Sequence, residues 1–257
     1  MMEIDQIKQL CEAFGGSWFF YVEKFGQQPL MVTNRTADSR FQTASVIKVP
    51  ILLAWLEAER RGLVSSDELC NLDDETKVEG SGFSYLMRAR QLPYADVLMM
   101  MIATSDNTCT NAVISRLGFD FINTTFRDIF DLQGTHLGRK MMTRPQPEKG
   151  IDNWTTGADM IHCYQLIQQL TEDERNFVAE RLKMCQASDL FLRDIRGDGV
   201  IFYHKTGGLR NVMNDWGYSD DCWLFMLTND FSDYQKVYKA FGILGKTFLV
   251  SKKDDIE

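Results

Sequence analysis

Proline is scarce in this chain, with five in 257 residues, and no two of its six cysteines form a Cys-x-x-Cys pair. Cys11, Cys70, Cys109, Cys163, Cys185 and Cys222 are scattered and have no histidine at metal-ligand spacing. That pattern argues against a zinc site or a disulfide framework and for free, buried thiols. The three histidines, His136, His162 and His204, are equally dispersed, so no metal is expected. No window holds the roughly 20 uninterrupted apolar residues that a membrane span requires. The first residues, Met1-Met2-Glu3-Ile4-Asp5, lack the basic and apolar regions of a secretory signal. As given, the chain is therefore expected to be cytoplasmic. Positive charge is also in deficit, 28 Lys and Arg against 36 Asp and Glu, for a net charge of −8. A phosphate backbone or an anionic bilayer would be repelled, so neither nucleic acid nor membrane is an expected partner.

What is present is the composition of a folded globule: 44% apolar and 25% charged residues. Collagen, coiled coil and disorder are excluded on that ground. The length allows one large domain or two packed ones, and no repeat, low-complexity segment or linker divides the chain. Ile4, Ile7, Leu10, Cys11 and Phe14 recur at helical spacing before Gly15-Gly16, and Ser17 to Val22 reads as an aromatic strand. A second strand is expected at Pro29 to Val32. From Ala44 to about Ala187 the apolar period is helical, with helices over 46–60, 94–102, 107–117, 159–170 and 173–184. Strands return at 200–205, 212–218 and 222–227, with turns at Gly207-Gly208 and Ser219 to Asp221. A last amphipathic helix spans 234–250, and Lys252 to Asp255 reads as a solvated tail. The expected fold is α/β of the α+β type: an antiparallel sheet flanked by terminal helices, with an inserted helical subdomain. Residues 1–43 plus 187–257 would form the sheet lobe and 44–186 the helical lobe of one domain.

Three short motifs carry the chemistry. In Ser45-Val46-Ile47-Lys48 a helix starting near Ala44 would put residues three apart on one face, so the Lys48 amine can approach the Ser45 hydroxyl. A desolvated lysine can act as a base, and N–H groups at a helix start favour developing negative charge. Alone the motif is weak, because a Ser-x-x-Lys arises about once by chance in a chain of this size. Ser105-Asp106-Asn107 is a good helix start and also offers a hydroxyl and a carboxamide to a substrate. Lys205-Thr206-Gly207-Gly208 ends a strand with a cation and a hydroxyl suited to a carboxylate, and with glycines that allow close approach of a ligand.

Order and spacing make the set far more specific than its members: 60 residues separate Ser45 from Ser105, and 160 separate it from Lys205. Here the chain resembles the class A β-lactamase and penicillin-binding serine hydrolase family, whose signatures are S-x-x-K, S-D-N and K-T-G. The resemblance covers most of the chain, including Asn111 to Gly118 and the segment Asn153 to Met160. It implies that Ser45 is the acylated nucleophile, Lys48 its partner in proton transfer, and Ser105 a proton shuttle assisted by Lys205. Asn107 would hold the substrate amide, while Lys205 and Thr206, with Gly207 beside them, would receive its carboxylate. The backbone N–H groups of Ser45 and Gly208 would form the oxyanion hole. No cofactor or metal is implied, and the partner is a small, anionic acyl substrate.

One departure stands out. In class A β-lactamases an omega-loop Arg is followed two residues later by the Glu that activates the deacylating water. Here Arg139 is the loop anchor, with Asp152 or Asn153 its partner, and Met141 stands where the Glu belongs. Glu148 is the remaining candidate base. The resemblance thus implies acylation with slow β-lactam turnover. Two alternatives are a glutaminase-like or D-peptide and ester amidohydrolase of similar fold, and a covalent penicillin-binding sensor without turnover. A hydrolase fold retained only for interaction would leave the three motifs without a task.

Overall fold

The computed structural model describes residues 2–195 and 199–250, so the charged tail Lys252 to Asp255 lies outside the described residues. The N-terminal apolar period forms α1 (Ile4–Glu12), which buries Ile7 and Cys11. Gly16, at φ 76°, then lets the chain turn into β1 (Ser17–Lys24); a Cβ there would sit 2.3 Å from the Asn229 carbonyl oxygen. Next come β2 (Leu30–Thr33), β3 (Arg40–Gln42), a 3-10 turn at Ala44–Ile47 and α2 (Lys48–Arg60). Short strands β4 (Leu69–Asn71) and β5 (Gln91–Pro93) precede α3 (Tyr94–Ala103), α4 (Asn107–Leu117) and α5 (Phe119–Thr124). After β6 (His136–Leu137) and β7 (Asn153–Thr156) come α6 (Gly157–Gln169) and α7 (Glu172–Lys183). The chain closes with β8 (Tyr203–Leu209), β9 (Val212–Tyr218), β10 (Cys222–Asn229) and α8 (Tyr234–Leu249).

The main sheet is antiparallel, in the order β2-β1-β10-β9-β8. Alternate residues serve two cores. Trp18, Phe20, Leu224 and Met226 face α1 and α8, where they meet Ile7, Phe241 and Phe248. Phe19, Tyr21, Phe225 and Leu227 face the central helices. Both faces are covered, which explains why β10 reads as a continuous apolar run rather than an alternation. On the second side α2 is buried nearly all round, from Lys48 to Leu56, as expected of a helix at the centre of a domain. Pro50 sits in its first turn, where no helical hydrogen bond is lost. No helix among the described residues is long and apolar enough to cross a membrane.

Two sequence expectations differ from the fold. Gly207-Gly208 is not a turn: β8 continues through it, pairing Gly207 with Asn214 and Gly208 with Met213. The reversal falls at Arg210 and Asn211, and Asn211 adopts the positive φ of 59° itself. The expected strand at 200–205 begins only at Tyr203. Two small sheets, β3-β7-β6 and β4-β5, were not expected, because strands of two to four residues are too short to show an alternation.

Candidate active site

Ser45 lies in the 3-10 turn between β3 and α2, and not in a regular α-helical turn. In 3-10 geometry residues three apart are eclipsed, so Ser45 and Lys48 share one side of the chain. The Lys48 N–H also donates to the Ser45 carbonyl. Ala44, immediately before the serine, has φ 45°, a left-handed conformation that costs a non-glycine residue about 1–2 kcal/mol. The surroundings hold it in place. Thr43 N–H donates to the Asn153 carbonyl at 3.1 Å, and the buried Asn214 amide donates to the Gln42 and Thr43 carbonyls at 2.9 and 3.1 Å.

The Lys48 amine, expected from the sequence to approach the Ser45 hydroxyl, makes its hydrogen bonds elsewhere. Its three hydrogen bonds go to Ser105 O (2.7 Å), Ser105 Oγ (3.0 Å) and Asn107 Oδ1 (3.0 Å). The side chain is fully buried. Burial, and after it the charge of Lys205, hold the amine well below the ordinary lysine range, against weaker opposing effects of Asp106 and Cys109. Ser105 is a second strained residue, at φ 55°.

Asp106 is a structural member of this motif. It accepts from Phe83 N–H, Ser84 N–H, Ser84 Oγ and Cys109 N–H, capping α4 and fastening the loop at 82–84. Asp106→Ala is expected to cost about 2–4 kcal/mol, combining the lost cap with stranded buried donors. Urea denaturation measures it.

Lys205 is fully buried, and its amine donates to the Thr206 carbonyl at 2.8 Å. Desolvation lowers its pKa, opposed by Cys185 and Asp215. Gly207 explains why a glycine is needed on this strand. A Cβ there would lie 2.8 Å from both Ser45 N and Thr43 O, backbone atoms that cannot swing away. At Gly208 a Cβ would meet nothing within 4 Å, and this residue lines the cleft. Gly207→Ala is therefore expected to destabilise the protein by about 1–3 kcal/mol, whereas Gly208→Ala is near neutral. Parallel denaturation curves test the contrast.

The opposite wall is the loop between β6 and β7. Arg139 Nε pairs with Asp152 Oδ1 at 2.7 Å, and Gln42 Nε2 donates to Asp152 Oδ2 at 2.7 Å. Asn153 Oδ1 accepts the Gly138 and Arg139 N–H groups at 2.9 and 3.0 Å. Met141 is buried, yet borders the cleft, and its backbone is held on both sides by the Asn111 carboxamide. Glu148 lies on an exposed 3-10 turn and is not among the residues lining the cleft, so the structure does not bring it to Ser45.

These walls enclose about 1000 Å³, bordered by Ser45, Ser105, Asn107, Lys205, Thr206 and Gly208. A family model described as the beta-lactamase enzyme family matches residues 4–249. The chain belongs to the β-lactamase enzyme family. Among solved structures, the β-lactamase of Sphaerobacter thermophilus is 24% identical, with TM-score 0.81 and coverage of 95% of this chain and 96% of the other. PBP-A is 24% identical, with TM-score 0.76 and coverage of 95% and 94%. A class A β-lactamase from Mycobacterium abscessus is 20% identical, with TM-score 0.77 and coverage of 96% and 99%. No curated protein matches the chain.

Several residues of this β-lactamase-family cleft carried no signal in the sequence. Arg144, on the β6–β7 loop, and Arg210, just past β8, also line it, but each stands alone in its segment without a motif around it. Asn214 looks like any strand residue until the register places it beneath the Ser45 turn. Gly80-Ser81-Gly82 was the one legible hint of a tight loop. Asn107 donates to Glu79 O and its N–H to Ser81 O, and Gly82 packs against Asp106.

Proposed function

We propose that the chain is a serine acyl hydrolase that forms an acyl-enzyme on Ser45 and deacylates it slowly when the substrate is a β-lactam. Lys48, whose burial and nearness to Lys205 favour loss of its proton, takes the Ser45 proton directly or through Ser105. The N–H groups of Ser45 and Gly208 receive the developing oxyanion, each worth about 3 kcal/mol in such sites. Asn107 offers its carboxamide to the substrate amide, and Lys205 and Thr206 offer a cation and a hydroxyl to its carboxylate. Arg144 and Arg210 also line the cleft and add positive charge to it, which suits a small anionic acyl substrate despite a net charge of −8.

The observation that carries slow deacylation is the fate of the cleft's carboxylate. Among the described residues lining the cleft, Asp152 is the one acid, and its two oxygens are taken by Arg139, Gln42 and the Asn153 N–H. A carboxylate whose oxygens are engaged in this way has little acceptor capacity left for a water in the cleft. Met141, on the same wall, has no base to offer. Among the relatives, a variant of PBP-A is known as an acyl-enzyme complex with penicillin G, which supports the same first step here.

Mass spectrometry after brief exposure to benzylpenicillin and to a cephalosporin tests this reading. A stoichiometric adduct on Ser45 that decays slowly is expected, and Ser45→Ala should show none. Fast, linear penicillin hydrolysis would refute slow deacylation, and absence of any adduct would refute acylation by β-lactams. Profiling with esters, glutamine and D-Ala-ended peptides then separates a lactam-specific enzyme from an amidohydrolase.

A further inference from the structure

The main sheet changes its manner of bonding directly beneath Ser45. Along β9 and β10 the paired register runs from Tyr218 with Trp223 to Asp215 with Met226, and beyond it side chains take over from the backbone. Met213 N–H donates to Thr228 Oγ at 2.9 Å, and that hydroxyl donates to the Met213 carbonyl at 2.7 Å. Thr228 N–H donates to Asn214 Oδ1 at 2.9 Å. The carboxamide nitrogen of Asn214 is then spared for the chain that enters the 3-10 turn, where it reaches the Gln42 and Thr43 carbonyls at 2.9 and 3.1 Å. Asn214 is fully buried, and its two amide hydrogens have one acceptor each.

The strand that carries Asn214 is fixed from its other face as well. Asp215 points there, with Oδ1 2.9 Å from His204 Nδ1 and Oδ2 accepting the Phe191 N–H at 3.3 Å. Gly217 leaves room for that imidazole, since a Cβ there would lie 2.5 Å from His204 Cβ.

On the receiving side, Gln42 N–H donates to Asn229 Oδ1 at 3.1 Å and Thr43 N–H to the Asn153 carbonyl at 3.1 Å. Every backbone group of Gln42 and Thr43 therefore has a partner. Ala44 follows at φ 45°, a conformation that persists only where its neighbours over-determine it. The consequence falls on Ser45. In an undistorted 3-10 turn its N–H would donate to the Gln42 carbonyl, three residues back. That carbonyl serves Asn214 instead, and among the described residues no group accepts the Ser45 N–H. Ser45 lines the cleft, and β8 passes so close that a Cβ on Gly207 would lie 2.8 Å from Ser45 N.

We propose that Asn214 is a positioning residue for the oxyanion hole: by holding the Gln42 and Thr43 carbonyls it locks Ala44 in the left-handed conformation and aims the Ser45 N–H into the cleft. Asn214 lines no part of the cleft and acts through Ala44 and Ser45 alone. A carboxamide suits the task because one rigid plane carries two donors for the turn and an acceptor for β10. Neither a hydroxyl nor an ammonium offers that set. An oxyanion donor is effective only when its direction is fixed before the negative charge develops, and the loss of one such donor slows the reaction about 10²–10³-fold.

The inference rests on Ser45 being the residue acylated, and the test separates the two. Acylation by a range of benzylpenicillin concentrations is followed by mass spectrometry in wild type, in Asn214→Asp, and in Asn214→Asp combined with Ala44→Gly. The infrared carbonyl stretch of each adduct is recorded. Aspartate keeps the acceptor for Thr228 but turns a carboxylate oxygen toward the two carbonyls, so the lock is lost with little change in volume. The acylation rate constant is expected to fall about 10²–10³-fold while the half-saturating concentration stays within about threefold, because Lys205, Thr206 and Asn107 are untouched. The ester carbonyl should absorb at higher wavenumber as its hydrogen bond weakens. Ala44→Gly takes a positive φ without strain and should recover about tenfold of the lost rate. An unchanged rate constant in Asn214→Asp, or a loss carried by the half-saturating concentration with the carbonyl stretch unmoved, would overturn the inference. If Asn214→Asp does not fold, Asn214→Ser takes its place. It keeps one donor, about a tenfold loss is expected, and an unchanged rate again counts against the lock. Wild type that forms no penicillin adduct sinks the Ser45 reading and the inference with it, whereas wild type that acylates no faster than the variant sinks the inference alone.

Discussion

Lys48→Met slows acylation of Ser45 by about 10²–10⁴-fold, the contribution that a positioned base makes to a proton-transfer step. Methionine matches the length and apolar stem of lysine, so the packing of α2 changes little and the loss reports the amine itself. The effect carries a pH signature. In the folded protein the Lys48 pKa is depressed, first by desolvation and then by Lys205. Acylation by wild type therefore rises with pH through a midpoint well below the ordinary lysine value. That rising limb is absent in the variant. Stability follows the same sign. The unfolded chain keeps this proton up to about pH 10.5, whereas the folded chain releases it earlier. The cost of burying Lys48 is therefore complete below the folded pKa and fades as pH rises through the interval between the two. Single-turnover kinetics with a chromogenic cephalosporin, from pH 5 to 10, decide the matter. An unchanged rate and profile in Lys48→Met would assign the base elsewhere.

The hydrogen bonds around Nζ say how the amine works on this mechanism. Three acceptors surround it, which is the complement of an ammonium. Once neutral, it retains two N–H donors for Ser105 O and Asn107 Oδ1. The Ser105 hydroxyl, which alone of the three partners has a proton to give, can then turn and donate to it. Ser105 is thereby placed between Lys48 and the cleft, with its φ of 55° fixed by the loop that Asp106 fastens.

Met141→Glu shortens the lifetime of the acyl-enzyme by about 10²–10⁴-fold, because it supplies the base that the cleft lacks. Position 141 is favourable for this. The backbone is clamped at both its N–H and its carbonyl by Asn111, so a polar side chain of similar length changes what faces the cleft and not where the chain runs. Met141 is buried and packs with the apolar core behind the cleft. A carboxyl placed there has a raised pKa, so the acceleration grows with pH as the group ionises. The same burial costs about 1–3 kcal/mol of stability. Met141→Gln is the matching control: similar shape and polarity, no base, and no gain in deacylation. Decay of the penicillin adduct followed by mass spectrometry separates these outcomes. Equal lifetimes for the Glu and Gln variants would show that position 141 does not reach the ester.

Local features were legible without a structure. The helices α3, α4, α6 and α7 follow from apolar periods and from caps such as Asp106, Thr156 and the Thr171–Glu174 box, all made within four residues along the chain, whereas the six-residue α5 was too short to show a period. The aromatic runs of β1 and β10 announced a buried sheet, and three motifs in a set order announced the family. Other features were not legible because several residue pairings were compatible with the same pattern. Gly207-Gly208 satisfied the signature of a turn, yet the extended pairing with β9 placed the reversal at Asn211. Arg139 had two acceptors within reach in sequence; the fold gave its guanidinium to Asp152 and its backbone to Asn153.

The sequence by itself determined the longer helices, most strands of the main sheet, the family and the missing carboxylate at Met141, because these depend on neighbours along the chain or on a motif's own spacing. Tertiary structure alone decided that the Lys48 amine bonds to Ser105 and not Ser45, that Asn214 clamps the turn before the serine, and that His204 meets Asp215. Those contacts join side chains from separate elements, and strand register, close approach at Gly207 and Gly217, and burial set them. No local preference encodes such distances. They exist only once the two cores have packed.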